Sequence, residues 1–99
     1  MSDSAFETLA NSLLEALEEG LADDAELQGG ILTVEGKAGT WIVNKHAPTR
    51  QVWLSSPKSG AKHYAFEPGA GLWQDTRGGA DLFTTLSGEL GVPLSWQPE

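Results

Sequence analysis

Carboxylates crowd the first third of the chain, and carboxylate chemistry is the simplest to read from this sequence. Residues 1–36 hold nine acids and no Lys or Arg. Carboxylate oxygens are hard ligands that suit Ca²⁺, Mg²⁺, Mn²⁺ or iron. One interpretation is that a loosely held cation is shared among seven of these acids: Glu7, Glu15, Glu18, Glu19, Asp23, Asp24 and Glu26. Their spacing matches no EF-hand and no His–carboxylate motif, so we expect weak and unselective binding. The alternative is a solvated helix face that keeps the protein in solution, and the acids taken alone favour it.

A second group combines an aromatic ring with amide side chains. Val52 and Leu54 flank Trp53 in the run QVWLS, so the period-two alternation of a strand places Trp53 on the face opposite these two apolar residues, together with Gln51 and Ser55. A large ring on an outward face is typical of an interface hot spot. A covering loop or a slip of one residue in the strand is the alternative.

Polar residues on the preceding strand extend this group. Asn44 and His46 share one face, and Lys45 points the other way or lies at the strand end. We expect Asn44 to join Gln51 and Trp53 in a protein-docking patch. A rim of positive charge is expected around the patch, formed by Lys45, Arg50, Lys62 and His63. For each of these residues taken singly, ordinary solvation of a sheet edge is the alternative.

Catalytic motifs are scarce in this sequence. No nucleophile elbow accompanies the two histidines, His46 and His63, and both are expected to be exposed strand residues. The glycine pairs at 69–71 and 78–79 lack a P-loop lysine, which argues against nucleotide binding. The chain contains no cysteine, so a disulfide framework, a thiolate nucleophile and cysteine ligation of zinc or an iron–sulfur cluster are all excluded.

Composition limits the number of domains and the classes of partner that the protein can have. The 99 residues are enough for one domain, and a net charge of −8 argues against binding to nucleic acid or an anionic membrane through overall charge. No apolar run approaches the ~20 residues that a membrane span requires. All six bases lie between residues 37 and 77, so the chain is dipolar, with an acidic first third and a basic middle. The N-terminus resembles neither a signal peptide nor a transit peptide, and we expect a cytosolic protein or the mature form of an imported one.

The elements that would position these residues follow from hydrophobic spacing. Ser4 and Glu7 have the spacing of a capping box, and apolar residues then recur every three or four positions to Leu21, which predicts a helix of about five turns with an acidic ridge on its polar side. Alternating segments separated by Gly and Pro turns predict a meander of five or six antiparallel strands. A second helix is expected after Gly79, with Asp81 as its N-cap. The fold class is therefore α+β: a two-layer sandwich in which an N-terminal and a C-terminal helix pack on one face of an antiparallel sheet. The other face is left open to water.

The central segment resembles a known family. Residues 39–64, GTWIVNKHAPTRQVWLSSPKSGAKHY, are similar to the signature of the frataxins: an aromatic-rich strand ending in Asn-Lys, a proline turn, a Gln-Val-Trp-Leu-Ser-Ser-Pro run, then Ser-Gly-x-Lys and Tyr. The resemblance extends more weakly over both predicted helices. We therefore expect residues 1–99 to form a single frataxin-like domain.

The resemblance implies an accessory role in iron–sulfur cluster assembly. Frataxins dock on the complex of cysteine desulfurase and scaffold protein, modulate sulfur transfer and bind iron (Fe²⁺ or Fe³⁺) weakly on the acidic ridge. The positions that match the family's docking contacts are Asn44, Lys45, Gln51 and Trp53. At the position of His63 the family commonly has Arg, so the charge of this contact depends on protonation. The resemblance also implies that Trp96 fills the space between the helix ends.

Other functions stay open from the sequence. The ridge carboxylates could bind Fe²⁺ and promote its oxidation by O₂, as in a ferroxidase, or the protein could store iron by oligomerising. We expect a monomer, with an iron-dependent oligomer as the alternative, and the bacterial cytoplasm, with the mitochondrial matrix as the alternative. Whether the protein activates or inhibits the desulfurase does not follow from the sequence.

Overall fold

The computed structural model describes residues 2–97. Within this range the chain forms a helix, six strands and a second helix. The elements are α1 (Asp3–Leu21), β1 (Ala25–Gln28), β2 (Ile31–Gly36), β3 (Gly39–His46), β4 (Gln51–Ser56), β5 (Gly60–Glu67), β6 (Leu72–Asp75) and α2 (Leu82–Leu90), with short 3₁₀ turns at Ala22–Asp24 and Ala47–Thr49. No helix within the described range is both long and apolar enough to cross a membrane.

The first helix begins two residues earlier than its sequence predicts. Ser2 is the N-cap, and its hydroxyl accepts a hydrogen bond from the backbone N–H of Ala5 at 3.1 Å. The predicted capping box of Ser4 and Glu7 is wrong, because Ser4 lies inside the first turn and the Glu7 carboxylate binds Lys45 instead. The apolar stripe is as predicted: Phe6, Ala10, Leu13, Leu14, Leu17 and Leu21 are buried against the sheet, and Leu9 is partly buried.

The six strands form one antiparallel sheet in the order β1-β2-β3-β4-β5-β6. Each strand pairs with the next along the chain, so short turns are sufficient to connect them. Strand β1 was not predicted from the sequence. Its four residues directly follow an acidic run, and their periodicity is too short to indicate a strand. Glu26, a predicted ridge acid, lies on this edge strand.

Both helices pack on the same face of the sheet, which confirms the two-layer α+β architecture. Leu82, Phe83 and Leu86 of α2 join the stripe of α1 in one core, above the buried rings of Trp41, Tyr64 and Trp73. As predicted, Asp81 caps α2, its carboxylate accepting from the backbone N–H groups of Phe83 at 3.1 Å and Thr84 at 3.3 Å.

The chain beyond α2 closes the core between the two helices. Trp96 is half-buried; its Nε1 donates to the Ser12 hydroxyl of α1 at 3.0 Å, and its ring lies 6.1 Å from that of Phe83 on α2. The ring also approaches those of Phe66 and Trp73. Trp96 therefore lies between the two helices, but against the middle of α1 and the start of α2 rather than between the helix ends as predicted.

Candidate functional site

The face of the sheet that the helices leave uncovered is the candidate site, and we call it the open face. Alternation along β4 places Val52 and Leu54 in the core, with 0% and 2% of their surface exposed, and turns Trp53 to the open face. Register then aligns Trp53 with Asn44 of β3 on one side and His63 of β5 on the other. The predicted assignment of Trp53 to the outward face is confirmed.

Trp53 is held between two imidazole rings. The ring of His46 stacks on one face of the indole, with centroids 3.8 Å apart and planes inclined by 13°. The ring of His63 stacks on the opposite side at 4.3 Å, also inclined by 13°. The indole Nε1 donates a hydrogen bond to Oε1 of Gln51 at 2.9 Å. The indole is therefore half-buried and fixed by three neighbouring side chains rather than free in solvent.

The predicted amide patch is present. Asn44 lies beside Trp53 in register and is half-buried, and its Nδ2 donates to the carbonyl of Lys45 at 3.3 Å. The sequence prediction placed His46 on the face of Asn44 but left it out of the docking patch. Its stacking depends on cross-strand register, and local alternation does not reveal register.

The predicted rim of positive charge is not on the open face. Lys45 and Lys62 alternate with outward residues and point toward the helices, where Lys45 binds the Glu7 carboxylate and also donates to Asn11 at 3.0 Å. The ammonium of Lys62 lies 3.8 Å from the carboxylate of Asp75. The reason is parity: both lysines precede an outward residue by one position, and adjacent strand residues point to opposite faces.

Arg50 is also absent from the open face, because its guanidinium forms an ion pair with another element. It follows the 3₁₀ turn after β3 in a left-handed conformation with φ of 52°, and its guanidinium binds Asp3 at the start of α1 at 2.9 Å. Of the four predicted rim residues, only His63 lies on the open face. The centre of this face therefore carries no permanent charge, and a docking role for Lys45 or Lys62 would act from the helix side of the sheet.

The acids of the predicted ridge divide into two groups. Glu7 is bound to Lys45, and the Glu18 carboxylate accepts from the backbone N–H of Leu27 at 3.2 Å, which covers the edge strand β1. The remaining acids are exposed: Glu15, Glu19, Asp23, Asp24 and Glu26. Within residues 2–97, no three His, Cys, Asp or Glu side chains converge as a metal site. The exposed set offers oxygen donors that could share a hydrated cation.

A carboxylate of α2 secures the strands beneath the open face. Glu89 accepts hydrogen bonds from the Ser56 hydroxyl, from Trp41 Nε1 at 2.9 Å and from the Ser59 hydroxyl at 2.7 Å. Burial by itself would raise the pKa of Glu89, but these hydrogen bonds and the nearby charge of Lys62 outweigh it, so the pKa is lowered. Glu89 is therefore a charged anchor for the β4–β5 turn, a role that the sequence did not indicate.

Known proteins share this fold and sequence. A family model described as "Frataxin-like domain" matches residues 1–95. The chain is 40% identical over 93 residues to the iron-sulfur cluster assembly protein CyaY of Paraburkholderia phymatum, covering 88% of this chain and 86% of that protein. It is 36% identical over 92 residues to the mitochondrial frataxin homolog of Schizosaccharomyces pombe, covering 90% of this chain but only 58% of that protein.

Solved structures agree with these relatives. A frataxin from Psychromonas ingrahamii superposes with a TM-score of 0.79 at 28% identity, covering 99% of this chain and all of that one (100%). A trimeric frataxin from Saccharomyces cerevisiae, complexed with ferrous iron, superposes with a TM-score of 0.62 at 36% identity, covering 90% of this chain and 80% of that one.

Proposed function

Because this chain belongs to the frataxin-like family, we propose that it is a non-enzymatic regulator of iron–sulfur cluster assembly. The protein docks through its open face on a complex of cysteine desulfurase and scaffold protein and modulates sulfur transfer there. The name of the Paraburkholderia relative, an iron-sulfur cluster assembly protein, supports the process. The absence of cysteine from the chain supports a modulatory role, because a persulfide or a thiolate-bound cluster needs a cysteine that this protein does not have.

The single observation that carries the docking proposal is the fixed indole at the centre of the open face. Trp53 is oriented by two stacked imidazoles and one hydrogen bond, so little conformational entropy remains to be lost when it enters an interface. Two exposed apolar residues lie on the same face, Ile31 on β2 with 48% and Ile42 on β3 with 38% of its surface exposed. An oriented aromatic anchor with an apolar and amide surround matches the anatomy of a protein interface.

Weak iron binding is the second part of the proposal. The exposed acids of the ridge, Glu15, Glu19, Asp23, Asp24 and Glu26, would hold a hydrated iron ion without a fixed inner coordination sphere. The yeast structure with ferrous iron supports iron as a ligand of the family. The helix acids Glu15 and Glu19 lie on the helix side of the sheet, whereas Glu26 of β1 is in register with Thr33 and Ile42 and shares the open face. Iron held by the helix acids would leave the centre of the open face free for a protein partner.

The oligomeric state and the compartment belong to the proposal as well. We propose a monomer that works in the bacterial cytoplasm, supported by the similarity to bacterial relatives. The trimeric yeast structure makes an iron-dependent oligomer the competing state. Sedimentation velocity with and without Fe²⁺ distinguishes the two, because a trimer would sediment markedly faster than a monomer.

The test of the docking function is the Trp53→Ala variant. We expect its affinity for the desulfurase–scaffold complex to fall by about 30-fold or more, since truncation of a hot-spot aromatic costs about 2 kcal/mol or more. The effect on desulfurase turnover, whether stimulation or inhibition, should be lost with it. Leu72→Ala is the matched control, because Leu72 is an exposed apolar residue (36%) at the sheet edge, on β6.

Circular dichroism and thermal unfolding establish that both variants are folded. Removal of Trp53 leaves the buried core intact, so we expect a native spectrum for Trp53→Ala. Unchanged binding and unchanged modulation in a folded Trp53→Ala protein would contradict the proposed function.

A further inference from the structure

A cavity of about 490 Å³ opens at one end of the sheet, between the start of β5 and the turn that follows β6. Charged and polar side chains from both segments line it: Lys62, His63, Asp75, Thr76 and Arg77. The backbone N–H of Thr76 donates to the carbonyl of His63 at 2.9 Å, which joins the two segments. We call this space the Arg77 cavity.

Permanent positive charge exceeds negative charge in the Arg77 cavity. Lys62 and Arg77 are its cations, and among the described residues that line it Asp75 is the one carboxylate. The Asp75 side chain is only 7% exposed, and its Oδ1 accepts the backbone N–H of Arg77 at 2.8 Å. Asp75 therefore holds the turn that carries Arg77, and one positive charge of the cavity is left uncompensated.

Both cations keep their hydrogen-bond donors available. The Lys62 ammonium lies 3.8 Å from Oδ2 of Asp75, which is beyond hydrogen-bond distance, and it donates to no other residue within 2–97. The Arg77 guanidinium forms neither an ion pair nor a hydrogen bond with any residue of that range. A guanidinium beside an ammonium offers several charged donors to one oxyanion, and the planar fork of Arg matches the two oxygens of a carboxylate.

One side chain connects the Arg77 cavity to the centre of the open face. The imidazole of His63 lines the cavity and also stacks on the indole of Trp53, with ring centroids 4.3 Å apart. Lys62 enters from the helix side, since it is in register with the buried Leu54. A protein interface of standard size covers about 800 Å² of each partner, far more than one indole. A partner centred on Trp53 therefore also covers this cavity.

We propose that the protein partner places a carboxylate, from an Asp or Glu side chain, in the Arg77 cavity, where Arg77 binds it bidentately and Lys62 donates a further hydrogen bond. The proposal rests on the docking function proposed above and names one chemical group of its partner. A small free oxyanion would meet the same donors. The continuity with Trp53 favours a protein carboxylate, because a docked partner excludes water from the cavity and so strengthens the ion pair.

Oxyanion binding is tested first on the free protein by NMR. Sodium acetate and, separately, inorganic phosphate are added and compared with sodium chloride at equal ionic strength. Both oxyanions should shift the Arg77 Nε–H and the backbone N–H of Thr76 beyond the chloride reference. These shifts should disappear in Arg77→Gln and persist in Lys37→Gln, the matched control, which removes the same charge from the exposed β2–β3 turn. Equal shifts in all three proteins would overturn the oxyanion site.

Docking affinity for the desulfurase–scaffold complex is then measured with the same variants and with Arg77→Lys. Arg77→Gln should bind about 10-fold more weakly, because the charged hydrogen bonds to the partner carboxylate are lost. Arg77→Lys should recover only part of this loss, since an ammonium cannot reproduce the bidentate fork. Lys37→Gln should bind like the unmodified protein. Added salt should weaken the docking of the unmodified protein more than that of Arg77→Gln.

The outcomes distinguish the Arg77 cavity from the docking function. Unchanged docking of Arg77→Gln would overturn the carboxylate contact and leave the docking function intact; phosphate binding to the free protein would then assign the cavity to a small anion. An equal loss of affinity in Arg77→Gln and Lys37→Gln would overturn the contact too, because the loss would reflect net charge alone. No docking by the unmodified protein would overturn the docking function, while the NMR titration would still decide whether the cavity binds oxyanions.

Discussion

The indole Nε1 of Trp41 donates a hydrogen bond to Oε1 of Glu89 at 2.9 Å, joining strand β3 to helix α2 across 48 positions of the chain. The same carboxylate accepts from the hydroxyls of Ser56 at the end of β4 and Ser59 before β5. One side chain of the C-terminal helix thus connects β3, β4 and the turn that leads into β5, the strands that carry the His46–Trp53–His63 stack. The stability of the open face is therefore linked to a residue on the other side of the sheet.

Replacement of Glu89 by Gln should destabilise the fold. The amide keeps the shape of the side chain but weakens three charge-assisted hydrogen bonds, and we expect a loss of about 1–2 kcal/mol in the free energy of unfolding. Urea denaturation measures it. Ser59→Ala, which removes one exposed partner of the same carboxylate, is the control and should cost less. Equal stabilities for the Gln variant and the unmodified protein would show that the network contributes nothing.

The same carboxylate predicts how stability depends on acid. The pKa of Glu89 is lowered in the folded protein from its ordinary value of 4.5, so the folded state holds this proton less tightly than the unfolded state. Its contribution is complete above pH 4.5 and is lost as pH falls through the folded-state pKa. The difference in unfolding free energy between the unmodified protein and Glu89→Gln should therefore shrink below pH 4.5. A difference that stays constant down to pH 3 would contradict this assignment.

Iron should distinguish the free acids of the ridge from the paired ones. In an anaerobic NMR titration with Fe²⁺, Glu15→Gln/Glu19→Gln should reduce paramagnetic broadening along α1, because these exposed carboxylates have no hydrogen-bond partner among residues 2–97 to compete with the ion. Glu18→Gln should mainly lower stability, by about 1 kcal/mol, since it weakens the bond to the Leu27 N–H.

Glu35→Gln is the control for the iron titration, as Glu35 is an exposed acid of β2 outside the ridge. Broadening that is unchanged in the Glu15→Gln/Glu19→Gln protein, or that is lost equally in the Glu35 variant, would place the iron elsewhere or show only nonspecific attraction to an acidic surface.

The tail tryptophan should be coupled to α1 through one hydrogen bond. Trp96→Phe retains most of the ring packing but removes the Nε1 donor to Ser12, and we expect a cost of about 1 kcal/mol. Ser12→Ala should cost a similar amount, and the double variant should cost less than the sum of the two. Strict additivity in this double-mutant cycle would show that the two side chains do not interact in solution.

Local patterns in the sequence were sufficient to predict the two helices, the central strands and the outward direction of Trp53. These features depend on spacings of two to four residues, and the physical period of a helix or strand converts such spacings directly into faces. The cap at Asp81 belongs to the same class, since its carboxylate meets N–H groups two and three positions ahead. The Ser4–Glu7 box failed because a better-placed hydroxyl, that of Ser2, precedes it and because Glu7 has a distant cation to bind.

Contacts between distant segments were decided only by the tertiary structure. The sequence predicted that Lys45, Arg50 and Lys62 form a positive rim around the docking patch. In the structure each of them instead forms an ion pair with a carboxylate from another element: Glu7, Asp3 and Asp75, respectively. The histidine stack and the Glu89 anchor likewise require the register of strands and the docking of a helix. Composition and periodicity specify which way a side chain points from its own backbone, whereas its partner depends on how the whole chain packs. That is why the sequence predicted the outward direction of Trp53 but not the two rings that stack on it.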